Sequence, residues 1–138
     1  MTDVMALAFL GDSVYEVFVR KRVMELNPGC HVDKLHHEAV KYVKADSQAE
    51  AVKKLMDGTL TDEEISVVKR ARNHKQIASK KIKSSKKGLD PVTEKLATAF
   101  EALIGHLYEE GKTERLDEIV NAAFAIIEGA EQIQHEED

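Results

Sequence analysis

The sequence has one cysteine, two prolines and no tryptophan among its 138 residues, and aromatic residues make up only 5% of it. The lone Cys30 excludes an intramolecular disulfide and a cysteine-based metal site, so we expect a protein of the reducing cytoplasm. The apolar stretch near the start, residues 4–10, is much shorter than the roughly 20 residues that cross a bilayer. No basic segment precedes it, so we expect neither an export signal nor a membrane segment.

Because aromatic residues are scarce, the core must be built mostly from Leu, Ile, Val, Ala and Met, and these residues recur at helical spacing. No stretch shows the strict alternation or the Asn-Gly turns of a sheet protein. The pattern therefore predicts an all-α fold, and the length predicts a single domain over residues 1–138. Within it we expect a basic, mobile loop at about 75–91 and a fraying acidic tail at about 130–138.

Six helices are expected along the chain. The first, at about residues 2–26, is expected to contact the core through Phe9, Leu10, Val14, Val17 and Phe18. The fourth begins at Thr61, which forms a capping box with Glu64 three residues later. The others are expected at about 32–45, 46–58, 91–111 and around 116–127, and the fourth should reach about residue 74.

The charge of the chain is strongly polarised. Residues 69–87 contain nine Lys or Arg and no Asp or Glu, although the whole chain has 20 basic and 25 acidic residues. Such a strip attracts a polyanion through phosphate contacts that weaken as salt rises. A solvated, lysine-rich loop would have the same composition, so the charge alone does not predict nucleic-acid binding.

Two acidic residues interrupt apolar helical segments. Asp12 follows Gly11 in the first helix, and Glu101 lies four residues before Gly105 in the fifth. If the glycines let these helices approach closely, the two carboxylates can share one hard cation such as Mg²⁺ or Mn²⁺. The alternative is that each acid faces solvent at a helix edge or pairs with a nearby Lys or Arg.

The histidines give no comparable signal. His31, His36 and His37 match no zinc-site spacing and are interpreted as surface residues. His106, next to Gly105, could lie near the acid pair, although a partly buried structural histidine is the expected assignment.

The segments around the two acids resemble the motifs of a known family. Residues 9–16 read FLGDSVYE, which resembles the signature helix of ribonuclease III catalytic domains, and residues 98–105 read TAFEALIG, which resembles their second acidic motif. Further similarity lies in ADSQAE at 45–50 and KRARN at 69–73. The resemblance covers nearly the whole chain and is closest to the Mini-ribonuclease III branch, which has no double-stranded RNA-binding domain.

Two positions depart from the conventional ribonuclease III pattern. Ala8 stands where the signature helix has a Glu, and Thr98 stands where the second motif has an Asp. The Mini branch looks similar at both positions. The substitutions leave fewer protein ligands and more room for water or RNA phosphate around a metal.

The resemblance implies a homodimeric, magnesium-dependent endonuclease that hydrolyses double-stranded RNA, leaving 5′-phosphate and 3′-hydroxyl ends, with maturation of the 23S ribosomal RNA precursor as its expected task. The signature helix would lie at the dimer interface, which would also account for the apolar Phe9, Leu10 and Phe18; in a monomer these residues would belong to the core. Asp12 and Glu101 would be the catalytic residues and the ligands of Mg²⁺, for which Mn²⁺ can substitute. The expected RNA-binding residues lie in the basic strip and are Lys69, Arg70, Arg72, Asn73, Lys75, Lys80, Lys81, Lys83, Lys86 and Lys87.

Two other functions remain possible from the sequence. A noncatalytic RNA-binding or ribosome-associated helical protein would bind duplexes without cutting them, although the presence of both Asp12 and Glu101 argues against it. A helical nucleotide pyrophosphatase also uses Mg²⁺ and acidic helices, but Glu109 and Glu110 lie too close to Glu114 and Asp117 for the spacing of that class.

Overall fold

A computed structural model describes residues 2–75 and 90–137, with side chains up to residue 130. Its elements are all helices, which confirms the all-α prediction within this part of the chain: α1 (Val4–Leu26), α2 (Val32–Val43), α3 (Ala45–Met56), α4 (Asp62–Arg72), α5 (Pro91–Glu109) and α6 (Thr113–Glu137). None of these helices is long and apolar enough to cross a membrane.

The helix starts follow from local capping chemistry. The Thr61 hydroxyl accepts the backbone N–H of Glu64, and the Glu64 carboxylate accepts that of Thr61, so the predicted capping box is confirmed. At the start of α5 the side chain of Asp90 accepts the N–H of Val92, while Pro91 occupies a position where no backbone donor is needed. These caps fix where α4 and α5 begin.

The central helix is α5. It packs against α1, α3 and α4, and apolar side chains on several of its faces are buried: Leu96, Phe100, Leu103, Ile104 and Leu107. Helix α6 also buries apolar side chains: Leu116, Ile119, Val120, Ala123, Phe124 and Ile127. The hydrophobic core is therefore organised around α5, most of whose apolar side chains are buried.

The predicted core contacts of α1 are wrong for Phe9, which is 83% exposed, and for Val17, which is 68% exposed. Val14 and Phe18 are half-buried and pack against the core as predicted, and Leu10 is half-buried. The buried stripe consists instead of Val4, Leu7, Ala8, Gly11, Tyr15, Val19 and Val23. Because α1 carries apolar residues on two faces, its periodicity predicts a helix but does not indicate which face meets the core.

Other boundaries differ by smaller amounts. Helix α4 ends at Arg72, two residues before the expected end. Helix α6 continues past Gly129 to Glu137, so the tail that was expected to fray is helical. The expected basic loop falls mostly on residues 76–89, which lie outside the described residues.

Candidate active site

The site is built on the antiparallel crossing of α1 and α5. A Cβ atom added to Gly11 would lie 1.8 Å from the carbonyl oxygen of Glu101, and one added to Gly105 would lie 2.0 Å from that of Leu7. No side chain fits at such distances, so the two backbones are in direct contact. The predicted close approach at Gly11 and Gly105 is confirmed.

This crossing brings together the two positions that carry the acids. Asp12 directly follows Gly11, and the carbonyl group of Glu101 is the group that Gly11 contacts. The Asp12 side chain is exposed, whereas that of Glu101 is half-buried. Neither carboxylate is therefore enclosed in the core.

The two departures from the conventional family pattern supply no replacement ligand. Ala8 is buried and offers only a methyl group. Thr98 is also buried, and its hydroxyl donates a hydrogen bond of 3.0 Å to the backbone carbonyl of Glu94. Within residues 2–75 and 90–130, no three His, Cys, Asp or Glu side chains are grouped so as to hold a metal.

A hard cation fits this donor set. Mg²⁺ is commonly held by one or two carboxylates together with several waters and substrate phosphates, so it does not need a third protein ligand.

A residue that sequence reasoning did not single out lies beside the acids. Tyr15 is fully buried, and its hydroxyl donates a 2.9 Å hydrogen bond to the backbone carbonyl of Tyr42. Its ring stands edge-on to that of Phe100, with centroids 4.9 Å apart. The sequence did hold a signal for its burial. Tyr15 follows Gly11 by four residues on α1 and therefore lies on the same helix face.

The described part of the basic strip lies at the end of α4. Arg70 and Asn73 line two shallow grooves, one along α4 with Lys69 and one toward the start of α1 with Lys75. Arg72 is half-buried, and its Nε atom donates to the side-chain oxygen of Asn73 at 3.4 Å. The remaining candidates lie outside the described residues: Lys80, Lys81, Lys83, Lys86 and Lys87.

The exposure of the histidines agrees with what was expected from the sequence. His31, His36 and His37 are exposed, and His31 accepts the backbone N–H of Asp33 at the start of α2. His106 is half-buried, and its Nε2 atom lies 3.7 Å from a carboxylate oxygen of Glu63 on α4. It is thus a structural histidine in contact with α4.

Comparisons with known proteins agree with this geometry. Residues 5–112 match the family model described as the ribonuclease III domain. The chain is 46% identical over 132 residues to the Mini-ribonuclease 3 of Brevibacillus brevis, covering 94% of this chain and 90% of that protein. It is 40% identical to the Mini-ribonuclease 3 of a Thermoanaerobacter species, covering 90% and 82%. A crystal structure of a Fusobacterium nucleatum protein superposes with a TM-score of 0.74 at 30% identity, covering 89% of this chain and 92% of that one.

Proposed function

The chain belongs to the Mini-ribonuclease 3 branch of the ribonuclease III family, whose members are double-stranded RNA endoribonucleases, and we propose that Asp12 and Glu101 are its catalytic metal ligands. The observation that carries this proposal is the backbone contact of Gly11 with Glu101, which sets the two acid-bearing positions side by side. The two carboxylates supply oxygen donors, and Mg²⁺ is the cation that such a sparse oxygen site suits best.

Each side chain has a definite role in this proposal. The exposed Asp12 and the half-buried Glu101 would each hold the cation through a carboxylate oxygen. A bound Mg²⁺ would supply activation of water and neutralisation of charge on the scissile phosphate and on the departing 3′ oxygen. Ala8 and Thr98 are buried and offer no carboxylate, which would leave coordination positions for water and RNA.

The end of α4 provides the RNA-binding surface in this proposal. Its exposed Lys69 and Lys75, together with Arg70 and Asn73 in the grooves, offer donors to phosphate and 2′-hydroxyl groups. A-form duplexes are recognised mainly through such contacts and through shape. We expect the affinity for a duplex to fall steeply with salt, with little dependence on sequence.

Two copies of the chain form the working enzyme in this proposal. The face of α1 turned away from the core exposes Phe9, Val17 and Met24, and the neighbouring α2 exposes Val32 and Val40. Exposed apolar side chains that lie close together mark candidate interaction surfaces. Phe9 lies one turn before Asp12 on the same helix, so a partner covering this strip would sit beside the acid pair. Sedimentation equilibrium should give twice the chain mass of 15.4 kDa, and a monomer at micromolar concentration would contradict this part of the proposal.

The physiological substrate we infer is precursor ribosomal RNA, namely the paired ends that precede mature 23S RNA, and the inferred location is the cytoplasm. The support is the similarity to the Mini-ribonuclease 3 relatives. A reducing compartment agrees with the presence of one cysteine.

Cleavage of a labelled RNA duplex tests the catalytic assignment. Asp12→Asn removes the charge of one ligand while keeping its size, so we expect cleavage in Mg²⁺ to fall about a thousandfold or more, whereas duplex binding at low salt persists. Single-stranded RNA, duplex DNA and a chelator serve as negative controls. Asp117→Asn is the matched control, since Asp117 is an exposed helical Asp on α6, and it should cleave like the wild type.

The other outcomes are equally informative. A wild type that binds the duplex but does not cut it in Mg²⁺ or Mn²⁺ would favour the noncatalytic RNA-binding function instead. An Asp12→Asn variant with full activity would remove Asp12 from the site while leaving the family intact.

A further inference from the structure

The contact between α1 and α5 is made by backbone atoms at one turn and by aromatic side chains at the next. At Gly11 and Gly105 the backbones touch, and neither glycine has a side chain to interlock with the opposite helix. Interdigitating side chains normally fix how one helix is rolled and shifted on another. The orientation of Asp12 relative to Glu101 must therefore be set by side chains next to the glycine contact.

Tyr15 lies one turn after Gly11 on α1, and its side chain is buried in the core. It follows Gly11 by four residues and Asp12 by three. Its side chain is only 1% exposed, and its ring meets the ring of Phe100 edge-on at 4.9 Å. Since Phe100 directly precedes Glu101, this aromatic contact lies one turn from one acid and one residue from the other.

The hydroxyl of Tyr15 anchors the ring. It donates a 2.9 Å hydrogen bond to the backbone carbonyl of Tyr42, near the end of α2. Burial raises the pKa of this hydroxyl well above its ordinary value, and the nearby Tyr42, Glu16 and Glu101 raise it further. The hydroxyl is therefore a donor at neutral pH.

We propose that Tyr15 is a positioning residue that sets the orientation of α1 on α5 and thereby holds Asp12 and Glu101 at the separation needed to bind one cation. This inference rests on the proposed function of the acid pair. Ligand constellations must be held within about 0.5 Å of their productive geometry. A loosened α1 would thus weaken metal binding and slow cleavage, while the RNA-binding surface on α4 would be unchanged.

Tyr15→Phe tests this role because it keeps the ring and removes only the anchoring hydroxyl. We expect the Mg²⁺ concentration for half-maximal cleavage to rise about three- to tenfold, and kcat to fall by a similar factor. The KM for duplex RNA should stay unchanged at saturating Mg²⁺. In the absence of RNA, Mn²⁺ uptake followed by electron paramagnetic resonance should weaken by a similar factor.

Tyr42→Phe is the matched control. It removes a second tyrosine hydroxyl from the same aromatic group, where the ring of Tyr42 lies 5.1 Å from that of Phe124. That hydroxyl donates to Glu128 at 2.7 Å and lies beside Arg22, near the end of α1 and ten residues from Asp12. We expect the control to lower the melting temperature, as Tyr15→Phe does, but to leave Mn²⁺ uptake and the Mg²⁺ dependence of cleavage unchanged.

The outcomes separate this inference from the proposed function. An active wild type whose Mn²⁺ uptake and Mg²⁺ dependence are unaltered by Tyr15→Phe would overturn the positioning role alone. Equal shifts in both variants would also overturn it, because they would reflect a general loss of stability. A wild type without metal-dependent cleavage would overturn the proposed function, and this inference with it.

Discussion

Some carboxylates in this molecule are paired with arginine side chains, whereas the Asp12 carboxylate is exposed to solvent. Glu64 on α4 accepts two hydrogen bonds of 2.8 Å from Arg115 on α6. Glu128 on α6 accepts two of 2.8 Å from Arg22 on α1. At the crossing of α1 and α5, by contrast, Asp12 is exposed, and no cationic side chain in the described ranges pairs with it.

The difference distinguishes carboxylates that hold helices together from those that are open to a ligand. A two-pronged bond from arginine occupies both carboxylate oxygens and joins two helices in a fixed geometry. An exposed Asp beside a backbone contact keeps its oxygens for water or a cation. The two arginine clamps join α4 to α6 and α1 to α6, so neither of them joins α1 to α5.

Closing the space between the crossing helices should have the largest effect on this arrangement. Gly11→Ala places a methyl group where the carbonyl oxygen of Glu101 lies 1.8 Å away. We expect the free energy of unfolding to fall by about 3 kcal/mol or more, because backbone on both sides must move. Cleavage of duplex RNA should fall with it, since the acids are displaced. Urea denaturation and the duplex assay measure the two effects.

Gly129→Ala is the control for that prediction. Gly129 lies in α6, and nothing lies within 4 Å of a Cβ added there. The same substitution should therefore raise stability by about 0.5–1 kcal/mol through helix propensity. A loss at Gly129 as large as that at Gly11 would show that steric contact at the crossing is not the cause.

Glu64→Gln should lower the free energy of unfolding by the next largest amount. It weakens the ion pair between Glu64 and Arg115 and does not alter the contact between α1 and α5. The hydrogen bonds from Arg115 lower the pKa of Glu64; burial opposes this, and the Thr61 amide adds to the lowering. The substitution leaves the exposed Glu118, 3.4 Å away, as the remaining anionic partner of Arg115, so we expect the free energy of unfolding to fall by about 2 kcal/mol near neutral pH.

The pH dependence of this effect has a definite sign. Because the folded-state pKa of Glu64 is depressed, its contribution is complete above the unfolded-state value of about 4.3 and is lost as pH falls through the folded-state value. The difference between wild type and variant should therefore shrink on acidification, as measured by urea unfolding. Glu50→Gln, at an exposed pair with Lys54, should change stability by less than about 0.5 kcal/mol. Equal losses at both sites would refute the distinction between clamp and surface pair.

Sequence reasoning predicted the parts of the molecule that depend on local patterns. The capping box of Thr61 and Glu64 was legible because both partners lie within four residues of each other. The close approach at Gly11 and Gly105 was predictable because each glycine lies in an apolar helix segment within four residues of an acid. These signals need no knowledge of how distant helices are arranged.

The parts that were missed depend on contacts between distant segments. The choice of core face on α1 failed because Phe9 and Tyr15 are both apolar enough to be buried, and packing against α5 selects Tyr15. The clamp between Arg22 and Glu128 joins residues more than a hundred positions apart in the sequence. Many Arg and Glu residues have the same local pattern, so no periodicity identifies such a pair.

Of the substitutions Gly11→Ala, Glu64→Gln and Glu128→Gln, the last should lower the free energy of unfolding least. It tests how much the stabilisation from an arginine–glutamate pair depends on burial. Arg22 and Glu128 are 36% and 32% exposed, whereas the Glu64 side chain is only 5% exposed. Solvent and salt therefore screen the first pair more, and the hydroxyl of Tyr42 can still donate to a glutamine at 128. We expect a loss of about 1 kcal/mol in urea unfolding, and a larger proportional decrease of that loss at high salt than for Glu64→Gln. A greater loss at Glu128 than at Glu64 would mean that joining α1, α2 and α6 matters more to the fold than the burial of the ion pair.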